Sequence, residues 1–402
     1  MVTGSGRVAA GGVAVLAAWM AAHAGPATVI DVPLVLDHNR MLVDAEIQGK
    51  DGAWRTARLW IDTGNPEFMV SEECARSLGF DAASPPRAAG GALKPVPLPS
   101  LAVRLSGEPL DTAGLTPMVR PGASRLWGTM HADGNIPSTV LRRYQVAFDY
   151  PARRVQLAAP GSMPHRGAAV PARVHPETGI AQIEVAAGGE RLDLAIDVGA
   201  SFTFVSGGQL TALAAKNANW PRVDRALGCA NIWGTWPEEE RWPVLRVPEI
   251  RLGPVAVAGV GVVGLPDIFG EGVGLGAWYS RKTAAPVAGF LGPNAFKGFR
   301  LEIDYAHGMV YLERGGPDEV HDMDLVGLTL RPEGDAWRVA GSAVEGVEPG
   351  DMLIQAGDLS VTGATMGTVV DALRGAPGDL RVLVVERNGK RVRIEARVRR
   401  HL

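Results

Sequence analysis

Cysteine is almost missing from this chain: Cys74 and Cys229 are the only two in 402 residues. Two thiols so far apart make neither a zinc cluster nor a disulfide framework. They leave open one bridge in an oxidising compartment, or two buried free thiols. An excess of positive charge is also missing. The net charge of -3 offers no field for wrapping a phosphate backbone, so nucleic acid is not expected as a partner. The 8 histidines include no H-E-x-x-H pair, and no G-x-S-x-G elbow follows residue 24, so metalloprotease and α/β-hydrolase chemistry lack their motifs. Neither metal nor cofactor is expected.

A long apolar run is absent as well. The uncharged stretch Val8 to Ala22 falls short of the roughly 20 residues that cross a bilayer as a helix. It follows Arg7 and precedes Ala22-His23-Ala24, the small-residue pattern of signal-peptide cleavage. Residues 1–24 are read as a signal peptide, with the mature chain starting at Gly25 in the periplasm or outside the cell and carrying no stable membrane anchor. An uncleaved anchor is the alternative.

The chain does have ample glycine and proline, 51 and 29 residues, spread along its length. That favours many short strands and turns over long helices. Its length exceeds what one apolar core organises, so two or three domains are expected.

An internal repeat sets their borders. Gly134 to Leu157 aligns without gaps on Gly289 to Leu312, with Asp149 falling on Asp304 and Tyr150 on Tyr305. Upstream, Leu59-Trp60-Ile61-Asp62-Thr63-Gly64 matches Leu194-Ala195-Ile196-Asp197-Val198-Gly199, and Val70-Ser71 matches Val205-Ser206. Between the two anchors the second copy is longer, through a Trp-rich insert at Ile232 to Trp242 and a Gly-rich run at Gly270 to Gly276. Each copy alternates apolar and polar residues between Gly and Pro punctuation, which predicts strands. One short helix per copy is predicted, at Ser71 to Leu78 and around Gly208 to Ala215. Pro160 to Gly167 reads as the linker between copies.

The chemical signal is Asp62-Thr63-Gly64 after an apolar strand, repeated as Asp197-Val198-Gly199. Two carboxylates near contact resist double ionisation and share a proton. One can then act as base toward a water while the other polarises a carbonyl. Glycine lets backbone pass close to substrate, and a threonine hydroxyl can hold two such loops in register. Asp149 and Asp304 also match between copies, but they end strand-like runs and receive a structural role. Gly259 to Gly264 fits G-x-G-x-x-G, yet Leu265-Pro266-Asp267 follows where a helix would start, so it reads as a glycine-rich strand.

These motifs resemble those of the bacterial retropepsin-like aspartyl proteases that carry two protease lobes in one chain followed by a PDZ domain. The resemblance covers nearly the whole mature chain. It implies a mainly β protein with two acid-protease lobes, 25–160 and 161–317, related by pseudo-twofold symmetry, then a small α+β PDZ-like domain at 318–402. Asp62 and Asp197 would be the catalytic pair, supported by Thr63, Gly64 and Gly199, with Leu291 and Gly292 bracing the second loop. Polypeptide would be the substrate.

Three positions depart from the family pattern. Val198 stands where Thr or Ser is usual, which removes one side of a reciprocal hydroxyl brace. Pro137 replaces the bracing glycine of the first lobe, and Asn65 follows Gly64 where Ser, Thr or Ala is usual. A catalytically degenerate peptide-binding protein is therefore the rival reading, and pairing of the first lobe with another chain a third. In the last segment, a helix at Met366 to Leu373 and a hairpin turning at Asn388-Gly389 look PDZ-like. There Val326, Gly327 and Leu328 would offer N–H groups to a peptide C-terminus. A structural cap on the second lobe is the alternative for this segment.

Overall fold

The computed structural model describes Met1 and residues 28–80, 96–121, 125–126, 130–225, 238–266, 279–319 and 321–402. Residues 2–24 of the expected leader, Cys229, residues 232–237 of the Trp-rich insert and the run Gly270 to Gly276 lie outside the described residues. The chain is mainly β with barrel-like sheets, grouped among the described residues as thirteen, nine and six strands.

The sequence repeat recurs as strand pairing. Gly134–Pro137 runs parallel to Trp54–Asp62, with Gly134 opposite Leu59 and Ile136 opposite Ile61, and it meets Met69–Ser71 antiparallel at Val70. Gly289–Leu291 runs parallel to Glu190–Ile196, with Gly289 opposite Leu194 and Leu291 opposite Ile196, and it meets Thr203–Ser206 antiparallel at Val205. These are equivalent positions, so the two aspartates leave equivalent strands beside equivalent partners. Ser71 and Ser206 also correspond. Each caps the helix after it, Glu72–Ser77 and Gly207–Lys216, by accepting the N–H of Cys74 and of Gln209.

A single sheet joins the copies. Gln145–Asp149 lies antiparallel to Phe299–Asp304, with Gln145 opposite Asp304, Ala147 opposite Glu302 and Asp149 opposite Arg300. Because Gln145 aligns with Arg300, Ala147 with Glu302 and Asp149 with Asp304 in the repeat, this register is symmetrical under it. Ile30–Pro33 extends the sheet on Arg154–Ala158, and Ala168–Val174 extends it on Met309–Arg314.

The segment expected to link the copies is clasped to this sheet. Gln145 accepts the N–H of Met163 at 3.0 Å and donates to its carbonyl at 2.8 Å, while His165 stacks on Tyr311 with ring centroids 4.1 Å apart. Asp149 and Asp304 serve the turns after their strands, accepting the N–H groups of Ala152 and His307. Gly259 to Gly264 lies within the strand Val255–Leu265.

The last segment forms the six-stranded sheet around the helix Met366–Leu373. Thr365 caps that helix, and Met366, Val369, Val370 and Leu373 are buried in the segment's own core. The hairpin turn at Asn388 and Gly389 has positive φ at both residues, 51° and 73°, which this pair tolerates best. Packing does not stop at the border read from the sequence. Met323 and Leu402 share an apolar cluster with Phe202, Phe204 and Phe290, and Met323 fills the space a side chain at Gly261 would take.

Candidate active site

Asp62 ends one strand and Asp197 directly follows its counterpart, and the two residues are 3% and 9% exposed. Each carboxylate lies over the glycine of the opposite loop. A Cβ on Gly64 would fall 2.5 Å from Asp197 Cγ, and one on Gly199 would fall 2.8 Å from Asp62 Oδ1. Only glycine lets the loops close this far. Within its own loop Asp62 accepts the N–H of Gly64 at 3.2 Å, and Asp197 accepts those of Gly199 and Ala200 at 2.9 and 3.1 Å.

Thr63 ties the loops together. Its hydroxyl donates to the Ile196 carbonyl at 2.8 Å and accepts the N–H of Val198 at 2.9 Å. Val198 is wholly buried and has no hydroxyl to return. Two further cross-links were not anticipated from the sequence. The Trp60 indole donates to the Gly199 carbonyl at 3.1 Å, and the Tyr279 hydroxyl donates to the Gly64 carbonyl at 2.5 Å. Trp60 was visible only as a position beside the motif, and Tyr279 as one tyrosine after a glycine-rich run.

The bracing residues differ between copies. Asp197 donates its N–H to the Leu291 carbonyl at 3.0 Å, and Gly292 donates to the Thr203 hydroxyl at 3.1 Å. In the first copy Pro137 stands opposite Asp62 and has no N–H to give. Support passes to its neighbours. Ser138 donates its N–H to the Asn65 carbonyl at 2.9 Å, and Asn135 bridges the N–H of Met69 and the Glu67 carbonyl at 2.7 and 2.9 Å.

Burial raises Asp62 well above the usual carboxylate range, and the charge of Asp197 raises it further. Burial lifts Asp197 as well, to about 6, against the N–H groups of Gly199 and Ala200 and the guanidinium of Arg40. Two buried carboxyls in one site, both raised, do not readily ionise together, which is what a shared-proton pair needs. Tyr150 and Tyr279 are pushed up by burial and by the charge of Asp197, with Asp62 adding to the effect at Tyr279, and both stay neutral phenols. Among the described residues no group of three or more His, Cys, Asp or Glu side chains is placed to hold a metal ion.

Val326, Gly327 and Leu328 lie far along the chain, where the C-terminal sheet begins. Val326 donates its N–H to the Leu373 carbonyl at 3.1 Å, and the Gly327 carbonyl accepts from Ala343 at 2.8 Å. Leu328 opens the edge strand opposite Ser342. The N–H of Val326 is thus already committed to the helix. Cys74 is a free, buried thiol, pushed up to about 12 by burial. No described helix is long and apolar enough to cross a membrane.

Comparison with protein-family models finds no match, and comparison with curated proteins finds none either.

Proposed function

We propose that this chain is an aspartic endopeptidase acting on extracytoplasmic polypeptide. In this reading residues 25–160 and 161–317 are two acid-protease lobes, and 318–402 is a PDZ-like unit. The observation that carries it is the reciprocal seating of Asp62 on Gly199 and of Asp197 on Gly64, because sharing a proton requires two carboxylates in one site. Asp197, ionised, takes a proton from a water whose oxygen attacks the peptide carbonyl carbon. Asp62, protonated, gives its proton to the carbonyl oxygen. Collapse of the tetrahedral species breaks the C–N bond: the proton on Asp197 leaves with the amine, and one hydroxyl of the diol returns its proton to Asp62 as the carbonyl re-forms.

Val198 favours a second reading, a binding protein that keeps the cleft without the chemistry, since its side chain cannot return the bond that Thr63 makes. Incubation with an unfolded protein from pH 3 to 8 separates the two. Peptide bonds should be cut, and Asp62→Asn and Asp197→Asn should each lower the rate by orders of magnitude, the double variant being little worse. A wild-type chain that binds unfolded protein but cuts nothing across that range would make the binding reading the better one.

A further inference from the structure

The residues joining Val35–Asp37 to Arg40–Gln48 form a two-residue hairpin turn with positive φ at His38 and Asn39, 50° and 70°. Such turns belong at the surface. Here Asp37, His38, Asn39 and Arg40 are 4%, 3%, 4% and 0% exposed. The turn is buried because it is gripped from both sides.

On one side stands the loop of Asp197. Asn39 donates its side-chain N–H to the Ser201 carbonyl at 2.7 Å, and Arg40 Nη2 donates to the Ser201 hydroxyl at 3.5 Å. His38 meets Phe202 edge-on, with centroids 5.3 Å apart at 81°. Ser201 and Phe202 directly follow Ala200, whose N–H is bonded to the Asp197 carboxylate. On the other side stands the C-terminal unit. Asp37 accepts the N–H of Gly367 at 2.6 Å. A side chain at Gly367 would collide with Asp37 Oδ1 and the backbone nitrogen of His38, so the helix Met366–Leu373 rests directly on the turn.

We propose that Arg40, held in this clamped turn, is a positioning residue for Asp197 and its loop, and that the C-terminal unit holds Arg40 in place through Gly367 and Asp37. The inference rests on the peptidase reading for its purpose, but its physical content does not. Arg40 lies among Asp37, Glu239 and Asp197, and burial lowers it only to about 10, so it stays charged at neutral pH. Among the described residues the carboxyl of Asp62 and the phenols of Tyr150 and Tyr279 also face Asp197. Asp37 in turn faces Thr365, Arg40, Gly367 and His131. The charge of Arg40 acts on Asp197 and is not among the influences on Asp62.

The test follows the Asp197 carboxyl by carbon NMR titration of the full chain in an Asp62→Asn background, which needs no catalytic turnover. Adding Arg40→Met should move the Asp197 midpoint upward by about one to two pH units, the scale set by loss of a nearby opposite charge. Arg40→Lys should restore most of the shift. Gly367→Ala, which displaces the helix and leaves Arg40 present, should move the midpoint in the same direction by less. It serves as the decisive variant should Arg40→Met fail to fold. An unchanged midpoint in Arg40→Met refutes the assignment of Arg40, and an unchanged midpoint in Gly367→Ala refutes the coupling to the C-terminal unit. If wild type proves inert while both midpoints move, the peptidase reading fails and this one stands.

Discussion

Thr63 and Val198 occupy equivalent places in the two aspartate loops, yet the bonds between those places run one way. The Thr63 hydroxyl engages both the Ile196 carbonyl and the Val198 N–H, and the valine side chain gives nothing back. Replacing Thr63 by Val strands two buried backbone groups. The expected cost is about 2–3 kcal/mol of stability, read from urea unfolding, with Thr63→Ser close to wild type. Val198→Thr is expected to be neutral or stabilising by up to ~1 kcal/mol and to preserve or raise any peptidase rate.

Gly199→Ala places a methyl group 2.8 Å from both Asp62 Oδ1 and Trp60 Cζ2. The carboxylates must then separate or the loop must shift. Stability should fall by about 1–3 kcal/mol, and cleavage of unfolded protein should drop by at least about a hundredfold, the scale on which small misplacement of reacting groups acts. An alanine variant with full activity would show that the close approach of the loops is not required.

Asp62→Asn should change how stability depends on pH. A carboxyl that stays protonated when folded but ionises when unfolded binds more protons in the folded state. Its contribution is fully present below the unfolded pKa of roughly 4 and is lost as pH rises through the higher folded value. An asparagine has nothing to lose. The variant should therefore gain on wild type as pH rises, being the more stable protein at pH 8 and showing little of that advantage at pH 4. Urea midpoints at the two pH values decide it, and a difference that does not grow with pH would contradict the raised Asp62 carboxyl.

Met323→Ala tests whether the C-terminal unit is stacked on the second copy. Met323 is fully buried in the cluster of Phe202, Phe204 and Phe290, and its truncation should cost about 2–5 kcal/mol. A loss below 1 kcal/mol would mean that the contact is not maintained in solution.

Much of this was legible in the sequence because it is local or repeated. The gapless match of Gly134 to Leu157 with Gly289 to Leu312 anticipated equal strand pairings, and Asn388-Gly389 marked its hairpin by composition alone. The helix Met366–Leu373 stands at the bounds expected for it. What was hidden depends on contacts between distant segments. Asp37-His38-Asn39-Arg40 reads as an ordinary polar turn, and nothing in those four residues says that Gly367 and Ser201 will bury it. Trp60 and Tyr279 carry apolar rings with one donor each, so their bonds to glycine carbonyls of the loops appear only when the copies meet. The segment Pro160 to Gly167 has a linker's composition, yet Gln145 and Tyr311 hold it.

The seam between the copies also has a sense of self. Ala147 lies opposite Glu302 at the centre of a register that is symmetrical under the repeat, so a strand like Gln145–Asp149 meeting its own twin would set alanine against alanine. Phe299–Asp304 meeting its twin would instead bring two Glu302 carboxylates together in a place where this one is wholly buried. Here Glu302 is satisfied by Gln145, His165 and Arg300 at 2.7, 2.7 and 2.8 Å, and two of those partners, Gln145 and His165, precede the second copy's own strands. Without Gln145 and beside a second Glu302, it would keep Arg300 but set two acidic side chains in one buried place, an arrangement that like charges disfavour. Pairing unlike halves, alanine against glutamate, avoids that encounter.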